Sequence, residues 1–356
     1  MTVAARWLRL TAMVALGVVG IARPHGALAE DLPRCEMIAT GGTIAMRFDP
    51  VQLAVVPALS GDALLATVPE LAKVARVRVR NLFSIPSEQM DPQRWVAIHR
   101  EVLDAVSAAD VAGIMITHGT DTLEETAYFL DLTVQTEKPI VIVGAQRSAS
   151  DRDSDGPRNL LNASRVCVDP AARGRGVMVV MNEQIDAARE ATKTHTSDVG
   201  AFQSGRAGSL GVIDDGRVTF ARISVRRQHI ELRNAPLPRV DIVAMYPGAD
   251  GALLRAAVGA GAKGIVVQAL GNGNVNEAMA AAIIEAVQQG VAVVIATRVP
   301  NGRVVPTYGL AGGGKTLQQH GTVFAGDLAP HKARILLMLA LQSTSSAARI
   351  QQIFDR

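Results

Sequence analysis

The stretch VAGIMITHGTDTLEETAYFL, residues 111–130, decides the fold. Its first seven residues form an apolar run of strand length. Gly119 then makes a sharp turn inside a polar tip, and Leu123, Thr126, Ala127 and Leu130 begin an amphipathic helix. A strand that ends in a polar turn and passes into a helix is the repeating unit of a parallel sheet. The same alternation extends to both sides, with strands expected at CEMIAT (35–40), VARVRV (74–79), PIVIVG (139–144) and GVMVVM (176–181). Between them, PQRWVAIHREVLDAVSAA (92–109) places Trp95, Ile98, Val102 and Val106 on one helical face.

A second alternating run follows, with strands at VDIVAMY (240–246), KGIVVQAL (263–270) and VAVVIAT (291–297). Helices are expected near 250–260 and 276–289, then around 331–342 and 345–354. The stretch from Val218 to Arg239 is highly charged, carries two prolines in APLPR, and reads as an inter-domain linker. The expected layout is an N-terminal α/β domain over 30–220, a linker over 221–239, and a C-terminal α/β domain over 240–356. Composition agrees: 48% hydrophobic residues with only 3% aromatic suits buried parallel strands.

Residues 1–29 read as a secretory signal peptide. Arg6 and Arg9 form the basic start, Leu10 to Ile21 the apolar centre, and Ala27-Leu28-Ala29 the cleavage site before Glu30. A periplasmic or secreted protein cleaved after Ala29 is expected, with no membrane association afterwards. Cleavage lowers Lys+Arg from 36 to 33, against 33 Asp+Glu, so the mature chain is electrically neutral. Nucleic-acid binding loses its electrostatic basis. Cys35 and Cys167 fall at the start of a strand and the end of a helix, in a compartment that permits disulfides. Both bridged and simply buried cysteines fit this.

In open parallel sheets ligands bind beyond the carboxyl ends of the strands. TGGT (40–43), THGTDT (117–122) and GAQRS (144–148) all fall there. Gly41 and Gly42 allow backbone to approach a ligand closely, and Thr43 presents a hydroxyl. Asp121 or Thr122 can cap the helix that follows, and Glu124 and Glu125 suit its first turn. Capping leaves Thr120 without a purpose. Lys193, in TKTHTSD (192–198), tunes proton transfer if it is buried beside a carboxylate and is a solvated surface charge otherwise. GLAGGGKT (309–316) fits the P-loop pattern but lacks the preceding strand. DRDSDGPRNLLN (151–162) ends in Asn162 where a calcium loop needs Glu, and GNGNVN (271–276) lacks a third glycine.

ATGGTIA (39–45) and GIMITHGTDTLEETA (113–127) together resemble the two signatures of the bacterial type II L-asparaginase and glutaminase-asparaginase family. VGAQRS, DGPRNL, TKTHTSDV, GNGN and KARILLMLALQ fit that family in the same order, over essentially the whole mature chain. The resemblance implies a larger N-terminal and a smaller flavodoxin-like C-terminal domain. It implies hydrolysis of asparagine through an acyl-enzyme, with Thr43 as nucleophile and Thr120, Asp121 and Lys193 as the second catalytic group. Backbone N–H groups near Gly42 and Thr120 would hold the oxyanion. Ser87 and Glu88 would bind the α-carboxylate and α-amino groups, Asp121 the ammonium, and the Ala145 carbonyl the leaving amide. Asn274 would enter from a neighbouring subunit, in a homotetramer built from dimers with shared sites. No metal or cofactor is implied.

Two features depart from the family pattern. Its flap tyrosine is missing, since residues 44–80 contain no tyrosine and Phe48 is their only aromatic. Its C-terminal-domain acid is missing too: Pro300 to Gly326 holds no Asp or Glu, and Thr307 and Tyr308 lie near the expected place. Mixed asparagine and glutamine hydrolysis therefore stays open. A tRNA-linked amidotransferase subunit is disfavoured by the signal peptide, and an amino-acid binding protein would not need the Thr–Asp–Lys set.

Overall fold

The computed structural model describes residues 32–356; the expected signal peptide lies outside the described residues. The described residues begin with β1 (Arg34–Gly41), a hairpin of β2 (Met46–Asp49) and β3 (Ala54–Pro57), a short α1 (Gly61–Ala66) and β4 (Arg76–Ile85). Then α2 (Pro92–Ser107), β5 (Val111–Thr117), α3 (Leu123–Thr133), β6 (Ile140–Val143), α4 (Gly156–Val168) and β7 (Val177–Met181) alternate as the periodicity requires. Short strands follow: β8 (Gln184–Ala187), β9 (Thr192–Lys193), β10 (Phe202–Gln203), β11 (Gly211–Asp214) and β12 (Arg217–Phe220).

The large sheet has the order β12-β11-β8-β7-β6-β5-β1-β4. From β4 to β7 all neighbours are parallel, and β8, β11 and β12 add an antiparallel edge. Residues alternate between its faces. Ile38, Ile114 and Ile116 pack with α2 and α3, whereas Met37, Met115 and Val141 pack with α1 and α4. The chain leaves β1 toward β4 on one side and returns to β5 on the other. The winding therefore reverses between β1 and β5, which pair from Cys35 to Ala39 against Gly113 to Thr117. A crevice opens at such a switch point beyond the strand ends. TGGT and THGTDT stand on its two banks.

The second half contains β13 (Val240–Ala244), α5 (Ala252–Gly259), β14 (Gly264–Ala269), α6 (Glu277–Gln288) and β15 (Ala292–Thr297). It ends with α7 (Gly314–Gln319), β16 (Val323–Phe324), α8 (Pro330–Leu341) and α9 (Ala347–Phe354). Its four strands are parallel in sequence order. The two α/β halves share apolar packing, because Tyr128, Phe129 and Leu132 of α3 belong to the same core as Ile335, Leu336 and Leu339 of α8.

Two sequence expectations need correction. The strand expected over 74–79 begins only at Arg76, since Val74 and Ala75 close a turn on the Leu71 carbonyl. The charged stretch does not start as linker: Val218 to Phe220 complete β12 by pairing with β11, and regular structure is absent only from 221–239.

Cys35 of β1 and Cys167 of α4 form a disulfide, both fully buried. It closes a loop with a sequence separation of 132 residues and ties α4 to the strand that delivers TGGT. Loops of this length restrict the unfolded chain strongly. Replacing both cysteines with alanine should lower unfolding free energy by about 3 kcal/mol. Urea denaturation of the double variant checks this; an unchanged midpoint would contradict it.

Candidate active site

Three loops meet at the end of β1. A Cβ at Gly42 would lie 2.2 Å from the Gly119 nitrogen, and one at Gly119 would lie 2.6 Å from Ser87 Oγ. No side chain larger than hydrogen fits at either place, and Gly42 also has φ of 83°. These glycines press TGGT, THGTDT and the Ser87 loop into contact. Thr43 and Thr120 each follow that contact by one residue.

The tip is rigid for identifiable reasons. Thr40 Oγ1 donates to the Thr117 carbonyl at 2.7 Å, locking β1 to β5 at their ends. His118 is fully buried with Nδ1 2.7 Å from the Gly119 carbonyl and Nε2 2.9 Å from Thr126 Oγ1. An N–H must face the carbonyl, so Nε2 accepts from Thr126, whose oxygen in turn accepts from Trp95 Nε1 at 3.0 Å. Burial pushes the His118 imidazole down to about 4, and only the Gly119 carbonyl opposes this. His118 therefore holds the turn as a neutral ring.

Thr120 is buried, and its Oγ1 accepts from Lys193 Nζ at 2.8 Å. It donates to Gln146 Oε1 at 3.3 Å. Lys193 Nζ also donates to Asp121 Oδ1 at 2.7 Å. Lys193 is only 14% exposed in its side chain, whereas Asp121 is 63% exposed and open to a ligand on its far side. The lysine thus lies half-buried beside a carboxylate and is not a fully solvated surface charge. Thr122 stands at the helix N-cap position but makes no side-chain cap; its hydroxyl donates to the Ser87 carbonyl at 2.8 Å. The polar groups of the tip are spent on the crevice, and capping does not explain them.

Ser87 is buried, and its Oγ accepts from the Asp121 N–H at 3.2 Å. Glu88, beside it, is exposed. Ala145 is fully buried next to Gln146. Thr43 is half-buried at the start of a short 3-10 turn, and its hydroxyl makes no hydrogen bond among the described residues. The Gly42 N–H is already used, donating to the Ile85 carbonyl at 2.9 Å. Asn274 is not brought to these residues: its Oδ1 accepts from the Gly314 N–H at 3.3 Å within the C-terminal half.

The family model "Asparaginase, N-terminal" matches residues 34–226, and "Glutaminase/Asparaginase C-terminal domain" matches residues 239–354. The chain belongs to the asparaginase family. It is 40% identical to a protein of Haemophilus influenzae named "Probable L-asparaginase periplasmic", over 92% of this chain and 94% of that one. It is 38% identical to "L-asparaginase 2" of Escherichia coli, over 97% and 98%. It is 36% identical to a "Glutaminase-asparaginase" of Pseudomonas fluorescens, over 89% of each. A solved structure titled "Probable Cytoplasmic L-asparaginase from Campylobacter jejuni" superposes with a TM-score of 0.83 at 35% identity, covering 91% of this chain and 99% of that one.

This asparaginase chain also holds a buried ionic cluster beside the site that sequence patterning assigned to helix ends. Glu124 Oε1 accepts from the Lys193 N–H at 3.0 Å, while Oε2 faces His331 Nε2 at 3.0 Å and Lys332 Nζ at 3.5 Å. Burial alone would raise the Glu124 carboxyl. The His331 hydrogen bond, the Lys332 charge and the Lys193 N–H outweigh it and bring the group down to about 2. Glu124 is ionised at neutral pH.

Proposed function

We propose that this chain is an L-asparaginase, hydrolysing L-asparagine to L-aspartate and ammonia through an acyl-enzyme on Thr43. The observation that carries this reading is the Lys193 ammonium, held between Thr120 Oγ1 and Asp121 Oδ1 on the bank facing TGGT. A hydroxyl is a weak nucleophile until a proton acceptor is arranged for it. Thr43 Oγ attacks the side-chain amide carbon, and its proton passes to the departing nitrogen, which leaves as ammonia. Water then cleaves the ester and returns a proton to Thr43. Thr120, Lys193 and Asp121 organise those proton movements.

The exposed face of Asp121 suits a substrate ammonium, as Ser87 and Glu88 suit the α-carboxylate and α-amino groups. The Ala145 carbonyl receives the leaving amide. The Gly42 amide is occupied by Ile85, so this reading moves the oxyanion to the Thr120 N–H, which has no protein acceptor among the described residues.

The flap works without a tyrosine. The β2–β3 hairpin that follows Thr43 exposes Phe48, Val51, Leu53 and Val55, which suit an apolar cover over substrate. Its base is tied down by the Ala149 N–H on the Met46 carbonyl and by the Phe48 N–H on Ser150 Oγ. Asn274 completes a neighbouring subunit's site in a homotetramer of dimers. Thr307 and Tyr308 stand where the family has an acid, both exposed. With no carboxylate there, discrimination between asparagine and glutamine rests on the N-terminal residues, and mixed activity is the second reading. The Pseudomonas fluorescens relative's name favours keeping it.

Export to the periplasm follows from the signal-like residues 1–29, and the Cys35–Cys167 disulfide suits that oxidising compartment. The Haemophilus influenzae relative is named periplasmic, although the Campylobacter jejuni structure is titled cytoplasmic.

Ammonia release tests the reading. The protein lacking residues 1–29 should release ammonia from asparagine faster than from glutamine at equal concentration. Equal rates would favour the mixed enzyme, and release from neither amide would overturn the hydrolase reading.

A further inference from the structure

The cluster around Glu124 lies outside the reacting groups, yet it holds the strand that carries one of them. Lys193 belongs to β9, two residues long and paired, among the described residues, with β10 alone. So short a ladder cannot fix a long side chain to a fraction of an ångström. Two buried charges supply the missing support. On one side, Glu124 Oε1 accepts the Lys193 N–H at 3.0 Å. On the other, Lys332 Nζ donates to the carbonyls of Ala188 and Arg189, each at 3.0 Å, and to that of Ala191. Those carbonyls line the segment running into Lys193. The two charges also face each other, with Lys332 Nζ 3.5 Å from Glu124 Oε2.

Their location is costly unless it is used. Lys332 is 2% exposed, and a buried lysine without partners is strongly unfavourable. It stands with His331 in the first turn of α8, where the helix dipole disfavours cations. Glu124 stands in the first turn of α3, where the dipole favours its charge. The carboxylate therefore joins the starts of two helices, one from each half of the chain, and reaches the Lys193 backbone with its remaining oxygen.

We propose that Glu124 and Lys332 are positioning residues for Lys193, so that the C-terminal half of a chain orients the lysine in that same chain's own site. This rests on the role given to Lys193 above. It places a demand on the C-terminal half distinct from any residue it lends to a neighbour. His331, partly exposed, steadies Glu124 from the solvent side through its 3.0 Å hydrogen bond.

Glu124→Gln, Lys332→Met, Lys193→Met and Thr43→Ala, each made in the full mature chain, test it through kcat and KM for asparagine. Misplacing a proton-transfer group by about 1 Å costs ~100-fold. Glu124→Gln should therefore lower kcat by about that factor, with KM moving far less. If Lys332→Met fails to fold, Glu124→Gln, nearly equal in shape, decides alone. A positioning role predicts non-additivity: once Lys193 is methionine, adding Glu124→Gln should change kcat by less than about twofold. Equal losses in both backgrounds would mean a merely structural role and overturn the proposal, as would an unchanged kcat in Glu124→Gln. If Thr43→Ala and Lys193→Met themselves keep full activity, the catalytic assignment has failed instead.

Discussion

Thr43→Ala lowers kcat for asparagine by roughly 10⁴-fold or more, the scale seen when a covalent nucleophile is removed. Substrate affinity changes little, because Ser87, Glu88 and Asp121 are untouched. The variant also folds normally. Thr43 follows Gly42, whose contact with Gly119 fixes the backbone whatever side chain comes next. Its own hydroxyl supports nothing else among the described residues. Steady-state ammonia release beside a thermal unfolding scan checks both halves. Substantial activity in Thr43→Ala would remove the nucleophile from this threonine.

Lys193→Met is the second large effect. Methionine fills much of the lysine's volume but cannot donate to Thr120 Oγ1 or Asp121 Oδ1, which now receive bonds of 2.8 Å and 2.7 Å. Loss of a positioned proton-transfer group costs about 10²–10⁴-fold. The loss should fall mainly on kcat. Asp121 then lacks its cation and binds the substrate ammonium more freely, so KM should hold or fall. A variant whose KM rises while kcat stays unchanged would make Lys193 a binding residue only.

The banks of the crevice were legible because their signals are local. A glycine and several hydroxyls directly after an apolar run mark a strand tip, and β1 and β5 each present one. What paired with what was less legible. Strands β8, β11 and β12 are four residues each with mixed polarity, too short for periodicity. One local signal did exist: Asp215 and Gly216, with φ of 43° and 75°, form the Asp-Gly turn that folds β11 onto β12. The cysteine pairing depended on a strand and a helix 132 residues apart. Glu124 and Lys332 were hidden for the same reason. Each reads alone as a first-turn charge on an amphipathic helix, and only packing α3 against α8 makes them a pair.

The occupied Gly42 amide and the unsupported Thr43 hydroxyl were likewise invisible before the fold. A glycine motif announces close backbone approach but not which amide remains free. Here Ile85 takes that of Gly42, which is why the proposed oxyanion donor is the Thr120 N–H on the opposite bank.

The most direct test is to trap the intermediate. Lys193→Met mixed with asparagine, quenched in acid within the first turnover and digested, should yield an aspartyl ester on the peptide containing Thr43. An adduct on the peptide containing Thr120, or ammonia release with no adduct on either threonine, would contradict the division of labour proposed for the two banks.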